Sequence, residues 1–141
     1  MKNGYIFSLL IVSGLLFSSE VAGQCNTEAF VSASVAGITP GYSFLKSYKI
    51  AGERDLEKVE FSYVLTKGTN YLVNVKDVTT TPSTIVTLYD SKRNKIATNK
   101  ISGSTASAIS FACGATGIYY LQYTFESAAD RCAGSSLAFK R

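Results

Sequence analysis

An all-β fold, a single antiparallel β-sandwich of about eight strands in a jelly-roll-like arrangement, is predicted by three observations. Apolar residues recur at every second position in several short runs, turn-forming residues separate those runs, and no apolar pattern of helical period persists long enough for a helix. Regular turns between short strands are the signature of a sandwich or jelly roll. The clearest segment is AISFACGATGIYYLQYTF, Ala108 to Phe125. Ile109, Phe111 and Cys113 share one face of a first strand, and Tyr119, Leu121, Tyr123 and Phe125 share one face of a second. Gly114-Ala115-Thr116-Gly117 joins them, and its two glycines tolerate the positive φ of a sharp reversal, so the segment is expected as a hairpin.

In chain order, Tyr5 to Phe17 is an apolar run shorter than the about 20 residues a bilayer span needs. With Lys2 before it and Val21 and Gly23 after it, it reads as a signal peptide over residues 1–23, cleaved before Gln24. Because Gln24 precedes Cys25, a free exported chain, secreted or periplasmic, is expected over a lipid-anchored one, with an uncleaved membrane anchor as the alternative and no later membrane span. Residues 24–141 then form one domain, large enough to bury a core without obligatory staples. Ala29 to Ile50 is less regular, with Phe44 to Ile50 as an edge strand. Val59, Phe61, Tyr63 and Leu65 alternate, and Lys67-Gly68-Thr69-Asn70 turns the chain into Tyr71, Val73 and Val75. Thr79 to Ser83 is a loop, since Pro82 cannot donate to a ladder. Thr84 to Tyr89 is apolar on both faces, as in a central strand. Asp90 to Asn94 turns into Lys95 to Thr98, residues 100–107 form a polar link, and Leu137 and Phe139 mark a last strand.

The three cysteines of an exported chain imply one disulfide and one remaining thiol. A strand from Ile118 to Phe125, at about 3.3 Å per residue, separates Cys113 from Cys132 by far more than a disulfide's Cα spacing of about 7 Å. The preferred pairing is therefore Cys25 with Cys132, leaving Cys113 as a buried free thiol. A bulge or a shorter strand leaves the Cys113 to Cys132 pairing open.

The runs FSYVLTKGTNYLVNV (Phe61 to Val75), IVTLYDSKRNKIATN (Ile85 to Asn99) and ISFACGATGIYYLQY (Ile109 to Tyr123) resemble the bacterial pre-peptidase C-terminal domain. The likeness lies in an aromatic strand leading to a glycine turn, a leucine-tyrosine-aspartate hairpin tip and a closing glycine-tyrosine-tyrosine strand. It implies a jelly-roll-like sandwich, an accessory module of secreted hydrolases that binds rather than catalyses. Since the chain opens on a leader, an accessory role would be played in trans. The acidic residues often found before the leucine-tyrosine pair in that family are Thr84, Ile85 and Val86 here, which puts a calcium site in doubt.

Composition points away from catalysis. The chain has no histidine, which removes the usual general base and the commonest zinc ligand. A core-facing Cys113 without a base is inert. Glu53, Asp55, Glu57 and Glu60 are the best carboxylate or Ca²⁺ candidates, but Arg54 and Lys58 interleave with them, as in a solvated charged loop. No enzyme activity and no cofactor are expected. The net charge of +4 is mild and spread out. Its densest stretch, Lys92, Arg93, Lys95 and Lys100, reads as a hairpin tip, with no aromatic pattern of nucleic-acid binding beside it.

Binding residues are expected where aromatic or apolar side chains take the outward parity. Tyr120 and Ile118 do so, and together they form a candidate platform for a sugar ring or a protein partner. Tyr42 and Tyr48 are candidates of the same kind. The expectation is a small secreted, non-catalytic module acting by protein contact or structurally at the cell envelope or outside it. The alternatives are a carbohydrate-binding module and, third, a peptidase accessory acting in trans. Its partner would be a protein or polysaccharide outside the cytoplasm.

Overall fold

Strands that alternate apolar and polar residues must bury one face each, and two sheets laid face to face satisfy all of them at once. The computed structural model describes residues 25–52, 58–126 and 131–141. The expected leader and its cleavage site, and the Glu53, Asp55 and Glu57 cluster, lie outside the described residues. The elements are a helix α1 (Thr27–Ala36) and strands β1 (Ser43–Ala51), β2 (Lys58–Leu65), β3 (Asn70–Asp77), β4 (Thr84–Tyr89), β5 (Lys95–Thr98), β6 (Lys100–Ile101), β7 (Ser104–Thr105), β8 (Ala108–Ala112), β9 (Gly117–Phe125) and β10 (Cys132–Lys140). One sheet has the order β1-β10-β3-β8 and the other β2-β9-β4-β5, all antiparallel, while β6 and β7 pair only with each other. The expected all-β sandwich is present, with eight strands in its two sheets.

The pairing of strands departs from the expected hairpins. β2 and β3 lie in opposite sheets, and so do β8 and β9; in the two sheets only β4 and β5 pair with a sequence neighbour. The turns after β2 and β8 are arches that carry the chain across the sandwich. They brace each other: Gly68 N–H donates to the Cys113 carbonyl (2.9 Å), Cys113 N–H to the Thr69 carbonyl (3.0 Å) and Lys67 N–H to the Thr116 hydroxyl (2.9 Å). Gly68 takes φ +84°, but Gly114 and Gly117 do not use the positive φ expected of them. Residues 100–107 are also more ordered than a polar link, since they contain the β6–β7 pair.

The core is centred on Tyr123, which has no exposed surface. Its ring lies 6.0 Å from that of Phe61 and 6.5 Å from that of Tyr48. Its hydroxyl donates to Ser135 Oγ (2.8 Å), which donates in turn to the Asn74 carbonyl (2.7 Å). This chain of bonds ties the two sheets across the dry interior, where an unmade hydrogen bond would be costly. Burial pushes the Tyr123 phenol well above its ordinary pKa, against the lowering effect of the Ser135 hydrogen bond. Tyr48, expected as an exposed candidate, is instead 3% exposed and stacked 4.7 Å from Phe61. Tyr48 and Ile50 face inward, whereas Phe44 and Lys46, at the β1 bulge, are exposed, so Tyr48 belongs to the core and not to a binding surface.

The helix α1 corrects the expectation that no helix is present. Asn26 caps it by accepting from Ala29 N–H (3.2 Å), and Gly37 closes it by donating to the Ala33 carbonyl (3.1 Å). It carries no apolar stripe because the side chain it buries fully is Ser34. The Ser34 carbonyl accepts from Asn74 Nδ2 (3.2 Å) and from Ser136 Oγ (3.0 Å), so polar contacts replace the usual apolar stripe. Gly134 of β10 permits this approach: a Cβ there would lie 2.2 Å from Val31 N and 2.4 Å from the Phe30 carbonyl carbon. The Cys25–Cys132 disulfide anchors the start of the helix to the start of β10, which settles the pairing. Cys113 is the free, buried thiol.

Two buried polar side chains order the loops at the far ends of the strands. Asp77 closes the threonine-rich loop by accepting from Thr79 N–H (2.9 Å), Ser83 N–H (2.8 Å), Thr84 N–H (2.9 Å) and Thr84 Oγ1 (2.8 Å). Burial alone would raise its pKa, but the hydrogen bonds from Thr79 and Thr84 outweigh it and hold the carboxyl below its ordinary value. Asn99, with no exposed surface, stands in for a strand partner of β4. Its Oδ1 accepts from Val86 N–H (2.9 Å), and its Nδ2 donates to the carbonyls of Thr84 and Ala106 (3.0 Å each).

Two measurements check this account. Gly134→Ala forces a methyl into the helix backbone, and urea unfolding should show a loss of about 3 kcal/mol or more, the upper end of overpacking. Asp77→Asn turns an amide N–H₂ toward donors and should cost about 1–3 kcal/mol at neutral pH. Because the folded pKa of Asp77 is depressed, its contribution is fully present above the unfolded pKa and is lost as pH falls through the folded value. The wild type should therefore lose stability in acid more steeply than Asp77→Asn; parallel acid-unfolding curves would contradict this.

Candidate functional site

The two sheets differ in what covers their outer faces. α1 lies against β10, β1 and β3, whereas among the described residues no helix covers the outer face of β2-β9-β4-β5. The register decides which side chains meet on that open face. Val64 of β2 sits opposite Ile118 of β9, Ser62 opposite Tyr120, and Glu60 opposite Gln122; on the other flank Tyr89 of β4 is opposite Tyr120. Val64 is 58% exposed and Ile118 48%, so the two form an adjacent aliphatic pair on the surface. Cross-strand neighbours of this kind lie about 5 Å apart.

Beside this pair lies a polar cluster built by the β4–β5 turn. Asp90 shapes the turn by accepting from the N–H groups of Lys92 (2.9 Å) and Asn94 (2.8 Å) and from Asn94 Nδ2 (2.9 Å). The hydrogen bonds from Asn94 lead in holding its carboxyl below the ordinary value. Arg93 takes φ +67° in this turn and is thrown back over the sheet. Its guanidinium carbon stands 3.8 Å from the centre of the Tyr120 ring, and its Nη1 donates to both carboxylate oxygens of Glu60 at 2.8 Å. Gln122 Nε2 adds a bond to Glu60 (3.3 Å). An exposed ion pair and a surface cation–π contact each contribute up to about 1 kcal/mol, so the cluster orients side chains more than it stabilises the fold.

Tyr120 and Ile118 thus occupy the same outward face, as their parity predicts, and Tyr120 is half-buried beneath Arg93. Glu60, grouped by sequence with the acidic cluster, is engaged by Arg93 and Gln122. The basic stretch is divided, with Arg93 held by Glu60 and Lys100 paired with Glu126. Val64 and Arg93 were missed as site residues. Val64 takes the outward parity within its run, but only the pairing of β2 with β9 places it beside Ile118. Nothing local in the sequence aims Arg93 at Tyr120.

Cys113 lies apart from this face. Its thiol donates to the Ala115 carbonyl (3.2 Å) and stands 3.7 Å from the Tyr119 hydroxyl. Burial, then the contact with Cys113, pushes the Tyr119 phenol up to about 12. No group of three or more His, Cys, Asp or Glu side chains able to hold a metal ion occurs among the described residues. No helix among them is long and apolar enough to cross a membrane.

No protein-family model matches the chain, and no curated protein is significantly similar to it. Among solved structures, the chain is similar to the pre-peptidase C-terminal domain of a collagenase from Bacillus anthracis. That match has 15% identity and a TM-score of 0.49 and covers 65% of this chain and 85% of that one. It is also similar to a periplasmic inhibitor of g-type lysozyme from Aeromonas hydrophila, with 16% identity and a TM-score of 0.45, covering 71% and 85% of the two chains. A pre-peptidase C-terminal domain, the family that the strand and turn motifs resemble, is one of these structural neighbours. The sandwich itself rests on the strand register above, and no site residue is carried over from either protein.

Removing the Arg93 side chain tests the cluster. Arg93→Ala should change stability by no more than about 1–2 kcal/mol. It should also make Tyr120 nitrate faster with tetranitromethane, as read by peptide mass mapping, while Tyr123 stays unreactive. An unchanged Tyr120 rate would show that Arg93 does not shield the ring.

Proposed function

We propose that this chain is a small exported, non-catalytic module that binds another protein through the outer face of β2-β9-β4-β5. The observation that carries this reading is the exposed aliphatic pair Val64 and Ile118, set beside Tyr120 and Arg93 on the sheet face that no helix among the described residues covers. Exposed apolar area marks an interaction surface, and the tyrosine and arginine that flank it are residue types enriched in protein-binding hot spots. A sugar-binding platform needs open aromatic faces, and one face of the Tyr120 ring already carries a guanidinium. Phe44 is the single aromatic among the strongly exposed large hydrophobics of the described residues. Export is supported by the leader-like N-terminal sequence and by the Cys25–Cys132 bond, which persists in oxidising compartments.

A photo-crosslinking amino acid placed at Ile118 should give discrete protein adducts in producing cells, and the same residue placed at Ile101 should not. Val64→Asp should abolish the adducts at 118 without unfolding the exposed strand edge. If 118 gives no specific adduct and a glycan array instead shows binding that is lost in Tyr120→Ala, the carbohydrate-binding alternative replaces this reading.

A further inference from the structure

The sandwich is open at the end where β2 and β10 finish and β1 and β3 begin. Leu45, Tyr63, Val64, Tyr71, Phe139 and Arg141 line a groove there of about 210 Å³, together with Thr66 and the buried Thr69. Three local devices build it. A bulge in β1 between Phe44 and Lys46 breaks the pairing with β10, and Leu45, which falls in the break, packs inward. Tyr71 is held in the wall by accepting from Thr66 N–H at 2.9 Å. Arg141 lies with its guanidinium carbon 6.0 Å from the Phe139 ring centre, so the groove's one charged lining residue rests against an aromatic wall. At about 210 Å³ the groove is smaller than the 300–1,000 Å³ typical of small-molecule sites, and it suits one or two inserted side chains.

The charge around it is one-sided. Lys46, Lys67, Lys140 and Arg141 are all exposed at this end. The ion pairs among the described residues use Lys49, Arg93 and Lys100, and none of these four. The acidic residue among the strand-connecting turns at this end is Asp90, on the opposite flank, and its carboxylate is taken up by its own turn. Val64 belongs both to the groove and to the aliphatic pair on the outer face of the sheet, so the two surfaces are continuous.

We propose that this groove is an anchor pocket for a large apolar side chain carried on an acidic segment of the partner protein, with the flanking carboxylates met by Arg141, Lys67, Lys46 and Lys140. The proposal rests on the protein-binding reading above and specifies the chemistry of the partner. Apolar and aromatic walls favour a peptide over a sulfated glycan, which would need several cations along the lining where this groove has Arg141 alone. Charge complementarity at the rim steers the encounter, and the buried side chain holds it.

The test is a titration of the acetylated, amidated peptide Asp-Glu-Leu-Phe-Asp-Glu into the oxidised, ¹⁵N-labelled protein, followed by amide chemical shifts. Val64, Thr66, Thr69, Tyr71 and Phe139 should shift, with Lys92 and Lys95 unmoved. Arg141→Glu and Lys67→Glu, both at exposed positions, should weaken binding at least tenfold, and Lys92→Glu should leave it unchanged. The charge-reversed peptide Lys-Lys-Leu-Phe-Lys-Lys should not bind. The proposal is overturned by an absence of shifts, by shifts centred elsewhere, by equal binding of the basic peptide, or by a heparin hexasaccharide that occupies the groove in preference to the acidic peptide. Adducts at position 118 without groove shifts would sink this proposal alone; failure of both experiments would sink the protein-binding reading as well.

Discussion

The close approach of α1 to β10 is the contact on which the rest of the molecule depends. β10 is central in its sheet and buried on both faces, and its sequence CAGSSLAFK is correspondingly small. Ala133, Ser135 and Leu137 face the core, while Gly134 and Ser136 face the helix. Only a residue without a Cβ lets the helix backbone descend to the sheet at Gly134, and only then does the Ser34 carbonyl reach Asn74 and Ser136. The same strand carries Ser135, which receives the Tyr123 hydroxyl from the opposite sheet. Helix, first sheet and second sheet are therefore joined in series through three consecutive residues of β10, Gly134 to Ser136, and the disulfide at Cys132 secures the start of that strand.

Covering one sheet leaves the other to meet solvent or a partner. The outer face of β2-β9-β4-β5 is neither fully polar, as a purely solvated face would be, nor covered by a helix among the described residues, as an apolar face would require. Val64 and Ile118 remain exposed, and the Glu60–Arg93–Tyr120 cluster holds its polar groups in a defined arrangement beside them. The groove at the open end extends this surface around the β2 edge. Its bulge in β1 and its cations, none of which joins an ion pair among the described residues, are features that core packing does not demand.

The strands and their inward residues were legible because a two-residue period reports burial directly. Every inward assignment in β2, β3 and β9 holds, and so does the Cys25–Cys132 pairing preferred on strand length. Pairing partners were not legible. Two strands joined by a short glycine-bearing turn show the same alternation whether they lie side by side as a hairpin or face each other as an arch, since both put the same residues in the core. The helix was hidden for a related reason. Its packing uses Ser34 and a glycine on the strand beneath it, so it needs no apolar stripe and leaves none in the sequence.

The candidate site divides along the same line. Parity alone placed Ile118 and Tyr120 outward, because a side chain's face on a strand is set by its position in the alternation. Which neighbours those residues have was decided by tertiary structure: the pairing of β2 with β9 brought Val64 to Ile118, and a positive φ in a turn brought Arg93 over Tyr120 and onto Glu60. The sequence by itself determined the sandwich and its core, which follow from local period, while strand length only favoured the Cys25–Cys132 tie that the fold then settled. Only the fold decided which sheet is covered, which strands are neighbours and where the open groove lies, because those depend on contacts between residues far apart in the chain whose local patterns are indifferent to the choice.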